Sequence, residues 1–144
     1  GDNVWQEDLP SLGDAVRGIR LVRAPDCPLV AAVWELDPGA EGPYHLHHGT
    51  DEYLIVLRGR PTLRTPDGER ELAEGEAVQF PRGLTGAHQI SNRSEDVVRY
   101  VMAAYHGTPE VIEYPDDGTV VVGARTAGAD GRELFRRFDG SSAP

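Results

Sequence analysis

Cysteine is nearly absent from this 144-residue chain, with Cys27 the only one. That excludes an intrachain disulfide and fits a reducing cytoplasm. Beside Leu29 and Val30, a lone thiol reads as a small buried hydrophobe rather than a nucleophile. Long apolar runs are also missing. Leu29 to Trp34 is among the longest, far short of a membrane span. No basic segment followed by an apolar stretch opens the chain, so no secretory signal is expected. Positive charge is scarce, because 14 basic residues face 24 acidic ones and the formal net charge is −10. This balance argues against nucleic acid and against anionic membrane surfaces as partners. There is no repeat at a solenoid period, and no linker that would mark a second domain.

What the chain has in quantity is turn residues. Seventeen Gly and eleven Pro are spread along it, which implies many turns and short strands rather than long helices. Residues 1–16 are polar and acidic and read as an arm, with Trp5 and Leu9-Pro10 as anchors. Strands are expected over Val16–Val22, Leu29–Leu36, Glu52–Arg58, Thr62–Thr65, Glu69–Leu72, Ala77–Phe80 and Val97–Tyr105. A last hairpin is expected from Val111–Tyr114 and Thr119–Val122 about Pro115-Asp116-Asp117-Gly118. Glu133–Phe138 reads as a short strand or helix. About ten short strands with turns every eight to twelve residues give an all-β sandwich or barrel.

Three of the five histidines fall within four positions, in the stretch Tyr44-His45-Leu46-His47-His48-Gly49-Thr50-Asp51-Glu52. Side chains two apart on a strand share a face, so His45 and His47 point the same way. Glu52 opens the next strand and returns to that face across a turn. Two imidazoles and a carboxylate meeting at one point make a transition-metal site. His48 breaks the alternation and points elsewhere. His106 reads as a solvated loop histidine, and Asp51, Glu74 and Glu76 as solvated turn residues. Asp51 is an alternative acceptor for a ligand imidazole. If Glu52 faces the site, so do Leu54 and Val56, while Tyr53, Ile55 and Leu57 form a second apolar face that needs cover. His88 lies on a later strand, four positions before Asn92, and offers a further ligand.

These residues resemble the cupin superfamily. The first motif of that family is G-x5-H-x-H-x4-E-x6-G, and Gly39, His45, His47, Glu52 and Gly59 fill every fixed position. The second motif is G-x5-P-x-G-x2-H-x3-N, and Gly75, Pro81, Gly83, His88 and Asn92 fill it. There is one departure: four residues, Leu84 to Ala87, separate Gly83 from His88, where the family usually has two. The resemblance implies a double-stranded β-helix, or jelly-roll barrel. It also implies one divalent transition metal (Fe, Mn, Ni, Zn, Co or Cu) held by His45, His47, Glu52 and His88. The whole chain, 1–144, is then one domain with an arm over 1–16, a barrel core over 29–123 and a C-terminal extension over 124–144. Gly39, Gly59, Gly75 and Gly83 fall where such a fold turns, and glycine tolerates the positive φ those turns need.

An octahedral ion with four protein ligands keeps two positions for water, substrate or dioxygen. The functional expectation is a metal-dependent oxidoreductase, dioxygenase-like, acting on a small organic molecule. Two alternatives stand beside it. One is a metal-dependent isomerase, decarboxylase or lyase, and the other is a non-catalytic module that binds a sugar-like ligand. The pocket walls are expected to be apolar, from Leu54, Val56, Ile90 and Met102, with Tyr44, Gln79, Tyr100 and Arg99 as nearby polar groups. The covered second face of the Tyr53 strand suggests a homodimer. Metal is expected to leave below roughly pH 6, where imidazole takes up a proton.

Overall fold

The computed structural model describes residues 2–21, 27–105, 107, 109–125 and 133–139. Alternating β-branched and aromatic residues between Gly- and Pro-rich turns give twelve strands: β1 (Val16–Arg20), β2 (Leu29–Leu36), β3 (Leu46–His47), β4 (Asp51–Arg58), β5 (Thr62–Thr65), β6 (Gly68–Glu71), β7 (Ala77–Phe80), β8 (Gln89–Ser91), β9 (Val98–Tyr105), β10 (Glu110–Tyr114), β11 (Thr119–Arg125) and β12 (Glu133–Phe138). A single 3-10 turn at Leu84–Gly86 precedes β8, and there is no α-helix among the described residues. The ambiguous segment at Glu133–Phe138 is therefore a strand. His106 lies outside the described residues.

All strand pairs are antiparallel. One layer is a five-stranded sheet in the order β1-β2-β9-β4-β7. The other layer is made of a four-stranded piece, β12-β11-β10-β3, and a three-stranded piece, β6-β5-β8. Two isolated bridges, His45 with His88 and Glu41 with Ser91, join these pieces. The result is a jelly-roll barrel, which narrows the sandwich or barrel expected from the spacing of turns to the form that the motif resemblance implies. The glycines of both motifs do what the turns require: φ is +83° at Gly39, +79° at Gly59, +78° at Gly75 and +88° at Gly83. Gly59 carries a second constraint, since a Cβ there would lie 3.0 Å from the Val97 carbonyl oxygen.

Register decides what is inside. Leu36, Leu54, Val56, Leu63, Leu72, Phe80, Ile90, Val98 and Tyr100 form one buried cluster between the layers. Each large aliphatic side chain removed from water contributes about 2 kcal/mol. The opposite face of the five-stranded sheet is only partly covered. Leu9 of the N-terminal arm is buried, and Arg99 Nη1 donates to the Val4 carbonyl at 2.8 Å. Arg99 also pairs with the buried Glu35 at 2.7 Å, and Glu35 pairs in turn with Arg17 at 3.0 Å. Arg99 therefore ties the arm to the outside of the sheet and is not near the pocket. Farther along that face Tyr53 and Ile55 remain exposed.

Candidate metal centre

Each site residue is placed by backbone pairing. His45 and His88 face each other across a bridge, His45 N to His88 O at 3.0 Å and His88 N to His45 O at 2.9 Å. His47 lies in β3 opposite Ile112 of β10. Glu52 comes from the other layer, where it pairs with Phe80 of β7 and Ala104 of β9. The four side chains meet between the layers. Glu52 Oε2 is 3.3 Å from His47 Nε2, 3.3 Å from His88 Nε2 and 4.0 Å from His45 Nε2. Ligand atoms of His45, Glu52 and His88 all lie within 4.8 Å of one another.

The imidazoles are oriented from behind. His45 Nδ1 is 3.0 Å from the Pro43 carbonyl oxygen, and His88 Nδ1 is 2.9 Å from that of Gly86. His47 Nδ1 is 3.0 Å from Glu110 Oε1, and Thr50 donates its hydroxyl to the other oxygen of Glu110. At His45 and His88 the carbonyl acceptor holds the N–H at Nδ1 and leaves Nε2 aimed inward as a lone pair; at His47 the Glu110 carboxylate fixes the ring, and Nε2 offers a lone pair once its own proton has left. The Phe80 ring lies parallel to His88, with 3.8 Å between centroids, and fixes its plane.

The four-residue separation of Gly83 from His88 is absorbed by the 3-10 turn. Gly86 closes that turn against Pro81, so tightly that a Cβ on Gly86 would sit 1.7 Å from the Pro81 carbonyl oxygen. The extra residues thus keep His88 in register and supply the carbonyl that orients it. Asn92, the last residue of the second motif, is structural: its Nδ2 donates to the carbonyls of Leu36 and Asp96.

Electrostatics separate the ligands. Burial pushes His88 down to about 4, helped by the neighbouring His45, and burial likewise pulls His45 below the usual imidazole range. Burial acts on His47 in the same direction but is outweighed by Glu110 and Glu52, which raise it to about 9. Burial favours a neutral Glu52, yet the imidazoles around it, His47 foremost, hold it below its ordinary value. In the metal-free site His47 is thus an imidazolium beside the Glu52 carboxylate. Glu52 Oε2 and His88 Nε2 remain buried with no hydrogen bond. Glu52 Oε2 has only the His47 ring at 3.3 Å to balance its charge, and His88 Nε2, a buried lone pair 3.3 Å from the same oxygen, has no donor among the described residues, which is costly unless a cation sits between them. The donor set fits a divalent first-row ion.

Several neighbours differ from expectation. Asp51 does not orient an imidazole, because it pairs with Arg82 at 2.5 Å, and Glu110 takes that part. Glu110 directly precedes the expected strand start at Val111, and extending the alternation by one residue would have placed it on the face of Ile112. His48 points outward to Glu113 at 3.0 Å. Gln79 is exposed, and Tyr100 is buried with its phenol pushed up by burial and by Glu52. Leu54, Val56 and Ile90 pack in the core, with Met102 against them, beneath the ligands. A separate open cavity next to His45 is lined by polar residues, among them Tyr44, Gln89 and Tyr114.

A family profile, described as "Cupin domain", matches residues 32–104. A search of curated proteins returned no match. Among solved structures, a sugar phosphate isomerase of the cupin superfamily from Silicibacter pomeroyi is 26% identical, with TM-score 0.75, over 90% of this chain and 81% of that one. A putative sugar phosphate isomerase from Acidithiobacillus ferrooxidans is 25% identical, with TM-score 0.68, over 81% and 70%. A polyketide cyclase from Streptomyces resistomycificus is 26% identical, with TM-score 0.58, over 67% and 69%.

Proposed function

This chain belongs to the cupin family, and on that premise we propose that it is a metal-dependent enzyme that isomerises a small oxygen-bearing molecule. A divalent transition ion is held by His45, His47, Glu52 and His88. The observation that carries this reading is the convergence of ligand atoms from His45, Glu52 and His88 within 4.8 Å, with His88 Nε2 buried, anchored from behind at Nδ1 and without a hydrogen bond. When bound, such an ion polarises a carbonyl or hydroxyl oxygen as a Lewis acid. The chain's own residues supply the rest. Pro43, Gly86 and Glu110 fix the imidazole tautomers, Phe80 and the core beneath exclude water, and Glu52 contributes the negative charge that retains the ion.

Isomerisation is preferred to the oxygenase chemistry considered from the sequence, because the three solved relatives named above are two isomerases and a cyclase. Cys27 is a free thiol, in keeping with a reducing cytoplasm. Among the described residues no helix is long and apolar enough to cross a membrane. Exposed Tyr53 and Ile55 suit a second copy packed against the five-stranded sheet.

Elemental analysis of protein purified without an affinity metal column is the test. Wild type should carry near-stoichiometric metal, and His47→Ala and Glu52→Gln should lose it while circular dichroism still reports a β fold. Metal retained by both variants would refute the site. Oxygen uptake matching substrate loss, with phenols or β-diketones, would replace isomerisation by oxygenation.

A further inference from the structure

The cavity beside His45 has a one-sided set of hydrogen-bonding groups. It has a volume of about 360 Å³ and is lined by Glu41, Tyr44, Gln89, Tyr114, Asp116 and Asp117, with Gly42 and Pro43 between them. It adjoins the metal centre. The Tyr114 ring stacks over His45 at 6.0 Å between centroids, and Pro43 supplies the carbonyl that holds His45 Nδ1. His45 is also the most exposed of the four ligands, at 21% of its side chain, where His88 is at 1%. None of the four ligands lines the cavity itself, so a molecule in it sits beside His45, in contact with the Pro43 and Tyr114 that flank that ring.

The wall consists largely of acceptors. Three of the lining residues are carboxylates, which only accept when ionised. Asp116 and Asp117 are held below the usual carboxylate range, Asp116 by Arg64 and Asp117 by Thr119. The Gln89 amide nitrogen already donates to the Gly42 carbonyl at 2.8 Å. No lining residue has a cationic side chain, and the two guanidinium groups beside the wall are both paired with its carboxylates, Arg137 with Asp117 at 3.6 Å. The guanidinium of Arg64 lies just behind the wall, committed to both oxygens of Asp116 at 2.7 and 2.9 Å and seated 4.0 Å over the Tyr44 ring. A ligand that satisfies this wall must bring donors. Hydroxyl groups do so, and the two tyrosine rings offer flat apolar surface to the C–H face of a carbon skeleton. A phosphate dianion brings acceptors alone and meets carboxylates of its own sign, on a chain whose net charge is −10.

We propose that this cavity is the subsite for a neutral, polyhydroxylated substrate and that it discriminates against the phosphate ester of the same molecule. This rests on the metal-dependent reading for where the reacting end of the substrate lies. It departs from the sugar phosphates named for two of the solved relatives.

The test uses D-fructose and D-fructose 6-phosphate at matched ionic strength. Binding is followed by saturation-transfer NMR and calorimetry on the chain in metal-loaded and metal-stripped forms. Fructose should bind at least about tenfold more tightly than its phosphate in both forms. Glu41→Gln combined with Asp117→Asn should weaken fructose by about tenfold, and Glu41→Lys should raise affinity for the ester by a similar factor. Equal or tighter binding of the ester by wild type, or no binding of fructose in either form, overturns the proposal. Metal content is measured on the same samples. Loss of metal thus counts against the metal centre, whereas the ratio of sugar to ester tests the subsite.

Discussion

Metal binding at pH 7.5 should release close to one proton, and the proton should come from His47. The count follows from the unequal environments of the three imidazoles. His88 is pushed down to about 4 and His45 is also lowered, so neither carries a proton at neutral pH. His47 is raised to about 9 between Glu110 and Glu52, so it is almost fully protonated at pH 7.5. A ligand nitrogen must be free of its proton, so the ion competes with it. Relative to an ordinary imidazole the imidazolium is favoured by about 3 kcal/mol. Affinity at pH 7 should lie roughly a hundredfold below its alkaline plateau and rise about tenfold per pH unit until near pH 9. This moves the pH sensitivity well above the value near 6 that ordinary imidazoles imply. Calorimetric titration with zinc in buffers of different ionisation enthalpy gives the proton count directly. Glu110→Gln removes the main support of the imidazolium and should lower the count and flatten the slope. It should also cost about 10–100-fold in affinity at high pH, where orientation of the ring is all that Glu110 contributes. Stoichiometric zinc binding with no proton released would refute the argument, since His47 would then be neutral beforehand or not a ligand.

Two further predictions concern stability. Gly86→Ala places a methyl group inside the Pro81 carbonyl. It should destabilise the chain by about 2–3 kcal/mol and weaken metal binding through His88, measurable by denaturant titration and calorimetry; unchanged values for both would show that the 3-10 turn does not set the position of His88. The metal-free chain should be most stable near pH 6.5. The depressed His88 costs stability as pH falls from the unfolded value toward about 4, and the raised His47 loses its contribution as pH rises toward about 9. Each limb amounts to about 3 kcal/mol from that group alone. A flat profile of melting temperature across this range in stripped protein would contradict both assignments.

The positions of His45, His47 and Glu52 were legible because a strand, a short turn and a second strand fix them locally, and alternation decides which side chains meet. His88 was legible through its spacing to Asn92, although only the 3-10 turn explains how four residues fit before it. Glu110 was not legible in the same way. It reaches His47 across 63 positions, and the pairing of β10 with β3 that brings them together is set by the whole barrel. Arg99 shows a related limit. The two faces of β9 follow from alternation, but which of them looks into the barrel depends on the arm, whose Val4 carbonyl Arg99 holds from the outside. The polar cavity beside His45 was not legible, because its wall comes from three separate segments, residues 41–44, 89 and 114–117, none of which has a pattern of its own.

The layer opposite β4 is two pieces of sheet joined at a seam, and the seam runs through His45 and His88. Any breathing of that layer therefore changes the separation of these two imidazoles, without a hinge or a lid elsewhere. An ion held by both would act as a stitch across the seam. Slow amide exchange should then spread in metal-loaded protein along the joined edges, from residues 41–45 to residues 88–91, and the tightness of the barrel and the grip on the ion should vary together.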